Sequence, residues 1–118
     1  MGPRKNVLLV EDDDALRHFL RQAISLAGYD VTEARAGFEA LQQLDRQLPH
    51  IIVLDLMMPG LDGFTVRTEL GSQLRTRHIP IVVITAMTGD LRSLNVKRLL
   101  KKPVSPDEVV LAINDCLA

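Results

Sequence analysis

Short aliphatic blocks alternate along this chain with segments of helical period, and no other feature restricts the fold as strongly. Val7 to Val10 is the first block; after an acidic stretch, Leu16, Phe19, Leu20, Ala23, Ile24 and Ala27 recur at helical spacing as far as Gly28. Val31-Thr32-Glu33 reads as a weak second strand, followed by a helix with Phe38, Leu41, Leu44 and Leu48 on one face, ending before Pro49. Ile51 to Leu54 is the third strand, and the helix after it runs from about Gly63 to Leu74, weakened at Gly71. Ile81 to Ile84 is the fourth strand and Val96 to Leu100 a poorer fifth. Ser105, Pro106 and Glu108 supply cap, first-turn proline and capping-box partner for a last helix whose stripe is Val109, Ala112, Ile113, Cys116 and Leu117.

Such a chain predicts an α/β fold with a mostly parallel sheet and helices on both faces, because each crossover is right-handed and covers one face. Parallel strands gather their carboxyl ends along one edge, where open α/β sheets bind ligands. The residues falling there are Glu11, Asp12 and Asp13 after the first strand, Asp55 at the third, Thr85 after the fourth, and Lys102-Pro103 after the fifth. Asp55 is the single charge in the run IIVLDLMMPGLDG, just before the turn signals Pro59-Gly60 and Asp62-Gly63. Taken singly, each residue has a structural explanation. Asp55 can cap a turn, Asp13 or Asp14 can cap the first helix, with Asp14 the expected cap, Thr85 suits a strand, and Lys102 suits solvent. Their joint placement at four strand ends is harder to explain that way. Clustered carboxylates repel one another unless a cation lies among them, and oxygen donors select a hard divalent ion such as Mg²⁺.

With 118 residues and 47% hydrophobic content, the chain fits one domain, 1–118, that buries about two-thirds of its unfolded surface. The formal net charge of -1 offers no basic surplus for nucleic acid. One cysteine, Cys116, excludes an internal disulfide and multi-cysteine metal sites, and fits a reducing compartment. The amino end has too few consecutive apolar residues for a signal peptide or membrane span, so a cytoplasmic location is expected. His18, His50 and His78 lie in unrelated segments without ligand spacing; Met57, Met58 and Met87 read as packing residues.

The set VED at 10–12, LDLMMPGLDG at 54–63, ITA at 84–86 and KKP at 101–103 resembles the receiver domain of bacterial two-component response regulators, the CheY-like family. The resemblance covers essentially the whole chain and implies a five-stranded sheet of order 2-1-3-4-5. It further implies that Asp55 is the phosphoacceptor, Glu11 and Asp12 the acidic pair, Thr85 the switch hydroxyl, and Lys102 the lysine before a cis proline. Asp12, Asp55 and the backbone carbonyl of Met57 would hold Mg²⁺, with Glu11 acting directly or through water. The implied role is phosphorelay signalling: a histidine kinase or phosphotransfer protein donates, and a downstream protein reads the result. Such a monomer or weak dimer is not an enzyme beyond its own phosphorylation and dephosphorylation. In the family, the residues two after the phosphoacceptor and two after the switch hydroxyl flank the path of the attacking water; here they are Met57 and Met87.

Two departures accompany the resemblance. Leu99 stands three before the lysine, where the family carries an aromatic residue. Only sixteen residues separate Thr85 from Lys102, so the helix between the fourth and fifth strands is expected to be one or two turns, or absent. Other readings are a receiver excised from a larger regulator or hybrid kinase, a scaffold that is not phosphorylated, and a haloacid-dehalogenase-type phosphatase. The last would need a second Asp two residues after Asp55, where Met57 stands.

Overall fold

The computed structural model describes residues 3–58, 60, 62–91, 94 and 96–118. In chain order these form β1 (Asn6–Val10), α1 (Asp14–Leu26), β2 (Asp30–Ala34), α2 (Gly37–Arg46), β3 (Ile51–Asp55), α3 (Gly63–Ser72), β4 (Ile81–Thr85), β5 (Arg98–Lys101) and α4 (Pro106–Leu117). All the strands pair in parallel, in the order β2-β1-β3-β4-β5 expected from the resemblance.

The strand period of two divides the core between the faces. Val7, Leu9, Ile51, Val53, Val82 and Ile84 meet Leu20 and Ile24 of α1 and Val109 and Ile113 of α4. Their neighbours Leu8, Val10, Ile52, Leu54, Ile81 and Val83 meet Ala40 and Leu44 of α2 and Val66 and Leu70 of α3. Burial on both sides explains why the three central strands carry uninterrupted aliphatic runs.

Several boundaries and faces differ from expectation. The cap of α1 is Asp13, whose Oδ1 accepts the Leu16 N–H at 3.1 Å; Asp14 is the first helical residue and pairs instead with Arg17. Phe19 is 61% exposed, and the α1 stripe runs through Leu16, Leu20 and Ile24. In α2 the covered residues are Gly37, Ala40 and Leu44, with Phe38 67% exposed and Leu48 beyond the helix end. Small residues take two of the three covered positions, so helical phase outranks side-chain hydrophobicity there. Helix α3 ends at Ser72, and β5 starts at Arg98 rather than Val96. Pro59 of the expected turn lies outside the described residues. The last helix matches its sequence signals, with Ser105 Oγ accepting the Glu108 N–H at 3.1 Å.

Among the described residues no α-helix stands between β4 and β5, as the short spacing anticipates; residues 92, 93 and 95 lie outside the description. Leu94, with Leu91 and Val96, fills part of the face that such a helix would cover. The Arg67 Nε of α3 donates to the Leu94 carbonyl at 2.6 Å and ties this segment down. No helix of the described chain is long and apolar enough to cross a membrane.

Candidate functional site

Strand register assembles the site. Val10 is level with Leu54, so Glu11 and Asp55 each follow a matched pair at adjacent strand ends. Asp55 is level with Ile84, and Thr85 with Lys101, so Thr85 and Lys102 each project one residue further. The Lys102 N–H closes that corner on the Thr85 carbonyl at 2.8 Å, and the Lys102-Pro103 peptide is cis.

Ligand oxygens of Glu11, Asp12 and Asp55 lie within 4.8 Å of one another. Glu11 and Asp55 are buried, whereas Asp12 is exposed. Lys102 reaches past β4 and sets its Nζ 2.9 Å from Glu11 Oε1 and 3.2 Å from Asp55 Oδ2. The contact with Asp55 is a hydrogen bond. The shorter one to Glu11 is a charge contact outside hydrogen-bond angles, so Oε1 is a buried carboxylate oxygen that accepts no hydrogen bond. The other oxygen, Oε2, accepts the Asp13 N–H at 3.0 Å.

Burial pushes the Glu11 carboxyl up to about 7; the Asp13 N–H and Lys102 work against the rise, while Asp55 and Asp12 add to it. Burial alone would lower the Lys102 ammonium, but Glu11 and then Asp55 outweigh it and hold its pKa above the ordinary value.

The donor set fits a hard divalent cation. Three carboxylates face a single ammonium, which sits 2.9 Å from Glu11 Oε1 and 3.2 Å from Asp55 Oδ2, so the cluster keeps a surplus of negative oxygen donors that a divalent ion would balance.

Thr85 is fully buried, and its Oγ1 accepts the Met87 N–H at 3.0 Å. Asp55 is held the same way, its Oδ1 accepting the Met57 N–H at 3.0 Å. The sequence-derived residues Glu11, Asp12, Asp55 and Lys102 are thus in one cluster, with Thr85 at the neighbouring strand end. Three supports escape sequence reading. Arg17 donates to the Glu11 carbonyl at 2.9 Å, the Lys101 Nζ to the Met87 carbonyl at 2.5 Å, and Gly63 packs on the end of β3. Only the Gly63 contact has a local signal, the glycine at a helix start just after a strand-end acid.

Residues 7–114 match the response regulator receiver domain family. The chain is 30% identical over 118 residues to the polar-differentiation response regulator DivK of Brucella ovis, covering 96% of each. It is 46% identical over 83 residues to the response regulator PleD of Caulobacter vibrioides, a match spanning 70% of this chain but only 18% of that protein. The solved structure of the chemotaxis response regulator CheY4 of Vibrio cholerae superposes with a TM-score of 0.86 at 26% identity, covering 98% of this chain and all of that one. Sheet order, strand-end cluster and family match agree, and the chain belongs to the response regulator receiver domain family, the phosphoacceptor modules of two-component signalling.

Proposed function

We propose that Asp55 accepts a phosphoryl group from the phosphohistidine of a kinase or phosphotransfer protein, and that residues 1–118 act as one receiver unit. The observation that carries this reading is the setting of Asp55: a strand-end carboxylate with Lys102 on one oxygen, a peptide N–H on the other, and two further acids beside it. Phosphoryl transfer asks a protein for little more than an aligned nucleophile and stabilisation of the charge on the moving group. An Asp55 carboxylate oxygen attacks phosphorus, the bond to the donor imidazole nitrogen breaks, and the imidazole leaves with the electron pair and takes up a proton. Glu11, Asp12, Asp55 and the Met57 carbonyl would hold Mg²⁺, which supplies charge neutralisation at the phosphoryl oxygens. Lys102 faces the same oxygens with its ammonium. Thr85 accepts from Met87 and so keeps its own hydroxyl proton to donate to the modified Asp55, the contact through which phosphorylation shifts the β4 loop toward a downstream protein. Cys116 has no disulfide, which suits work in a reducing cytoplasm.

Incubation with acetyl phosphate and Mg²⁺ should add one phosphoryl group by intact mass, and Asp55→Asn should abolish the gain. Equal labelling of the variant would overturn the assignment. Asp12→Ala should lose both Mg²⁺ binding and labelling; undiminished Mg²⁺ affinity would place the metal elsewhere.

A further inference from the structure

A second polar cavity lies away from the acidic cluster, between the end of α3 and the starts of β4 and β5. Its volume is about 270 Å³, and none of its eleven lining residues is acidic. Arg77, His78 and Lys97 line it. The Lys97 N–H donates to the Ile81 carbonyl at 3.1 Å, which seats Lys97 at the start of β4, beside the turn that carries Arg77 and His78.

These side chains contrast with six arginines elsewhere in the chain, although Arg46 is likewise without an ion pair among the described residues. Arg4, Arg17, Arg21, Arg35, Arg75 and Arg98 each have a carboxylate within ion-pair distance. Within the described chain, the side chains of Arg77, His78 and Lys97 form no such pair and no hydrogen bond. Nor are they needed to cap α3. The Thr76 hydroxyl donates to the Leu70 carbonyl at 2.7 Å and the Ser72 hydroxyl to the Glu69 carbonyl at 2.9 Å. The supporting turn is fixed, since Thr76 is 3% exposed and the Arg77 and Ile79 N–H groups donate to Gln73 and Thr76 at 2.9 and 3.0 Å. The short link between β4 and β5 places Lys97 here, and Arg67 is already committed to Leu94 as a wall.

We infer that this cavity is an anion site for a small phosphate-bearing ligand. A planar guanidinium, an ammonium and an imidazole lining one cavity match the several oxygens of a phosphate group, and no acid is among the lining residues to oppose it. The volume exceeds that of one phosphate, so the ligand is either a condensed phosphate or a phosphorylated small organic molecule. The site is independent of the chemistry at Asp55.

Amide NMR of the ¹⁵N-labelled protein, in EDTA to keep metal out of the acidic cluster, tests this directly. Pyrophosphate and AMP are titrated separately at ionic strength matched with chloride. At least one should give saturable shifts confined to residues 67–81 and 96–98. Tighter binding of AMP would identify the phosphorylated organic ligand, and tighter binding of pyrophosphate the condensed phosphate. Arg77→Ala with Lys97→Ala should weaken binding about tenfold, and Lys97→Gln alone about threefold; both residues are exposed, and spectral dispersion verifies that the variants fold. Linear shifts with both probes, an affinity unchanged in both variants, or shifts centred on residues 11–13 and 55–57 would overturn the inference.

Discussion

Gly63, the first residue of α3, lies flush against the carbonyl of Asp55: a Cβ there would fall on the Asp55 oxygen and on Leu56 Cα. The Gly63 N–H also donates to the Leu56 carbonyl at 3.1 Å, so helix and strand end share backbone contact beneath the site. Both obstructing atoms belong to the main chain and cannot rotate aside. Gly63→Ala should therefore cost about 2–3 kcal/mol, at the upper end for overpacking, and should slow labelling of Asp55. Urea unfolding measures the first effect, and a loss below about 0.5 kcal/mol would mean that the loop has slack.

Acidity gives a second prediction. Folded Glu11 holds its proton up to about pH 7, against an ordinary carboxyl value of 4.5. Between those values the folded chain binds more proton than the unfolded one, so this group makes metal-free stability fall as pH rises from about 4.5 to about 7. Glu11→Gln should remove that part of the slope in melts recorded with EDTA. Bound Mg²⁺ competes with the same proton, so it should raise the midpoint more at about pH 8 than at about pH 6. A variant that keeps the full slope would assign it to another group.

The phosphorylated state should be long-lived. Met57 and Met87 line an open apolar cleft of about 430 Å³ with Leu56, Met58, Asp62 and Phe64. Thioethers orient water poorly, so Met57→Asn with Met87→Glu should speed loss of the phosphoryl group about tenfold. Decay followed by intact mass in the presence of Mg²⁺ decides the point; an unchanged or slower rate would count against the methionines as a barrier.

Phosphorylation should leave the chain without the dimer that receivers commonly form through the crossover helix, the fifth strand and the last helix. The described link between β4 and β5 has no α-helix, and Leu99, level with Val83 in the sheet, is 36% exposed where an aromatic residue would stand. Size-exclusion chromatography with beryllofluoride and Mg²⁺ should give an unchanged elution volume. Phosphate-dependent dimers with new amide protection confined to residues 89–100 and 106–117 would show that the shortened face still assembles.

Strand ends were more legible in the sequence than helix faces, for a physical reason. A strand buried on both sides must be aliphatic throughout, so an acid such as Asp55 marks where burial stops and the edge begins. Register then follows from topology, which brings Glu11 and Lys102 to Asp55 across 44 and 47 residues of chain. Helical phase is softer. Phe19 and Phe38 suit an apolar stripe by composition, yet α1 and α2 rotate them outward and cover Leu20, Ile24, Ala40 and Leu44. Contacts such as Lys101 with the Met87 carbonyl join segments whose spacing carries no pattern, and only the folded chain reveals them.

The Asp55 carboxylate and the Thr85 hydroxyl are both leashed by main-chain N–H groups two residues on, at Met57 and Met87. A peptide N–H is the same whatever side chain it carries, so positions 57 and 87 can be exchanged without releasing either group. If Asp55 is the phosphoacceptor, attack geometry and the persistence of the modified state should therefore be separable, and the memory time of the receiver should become a dial that two substitutions turn while the trigger stays as built.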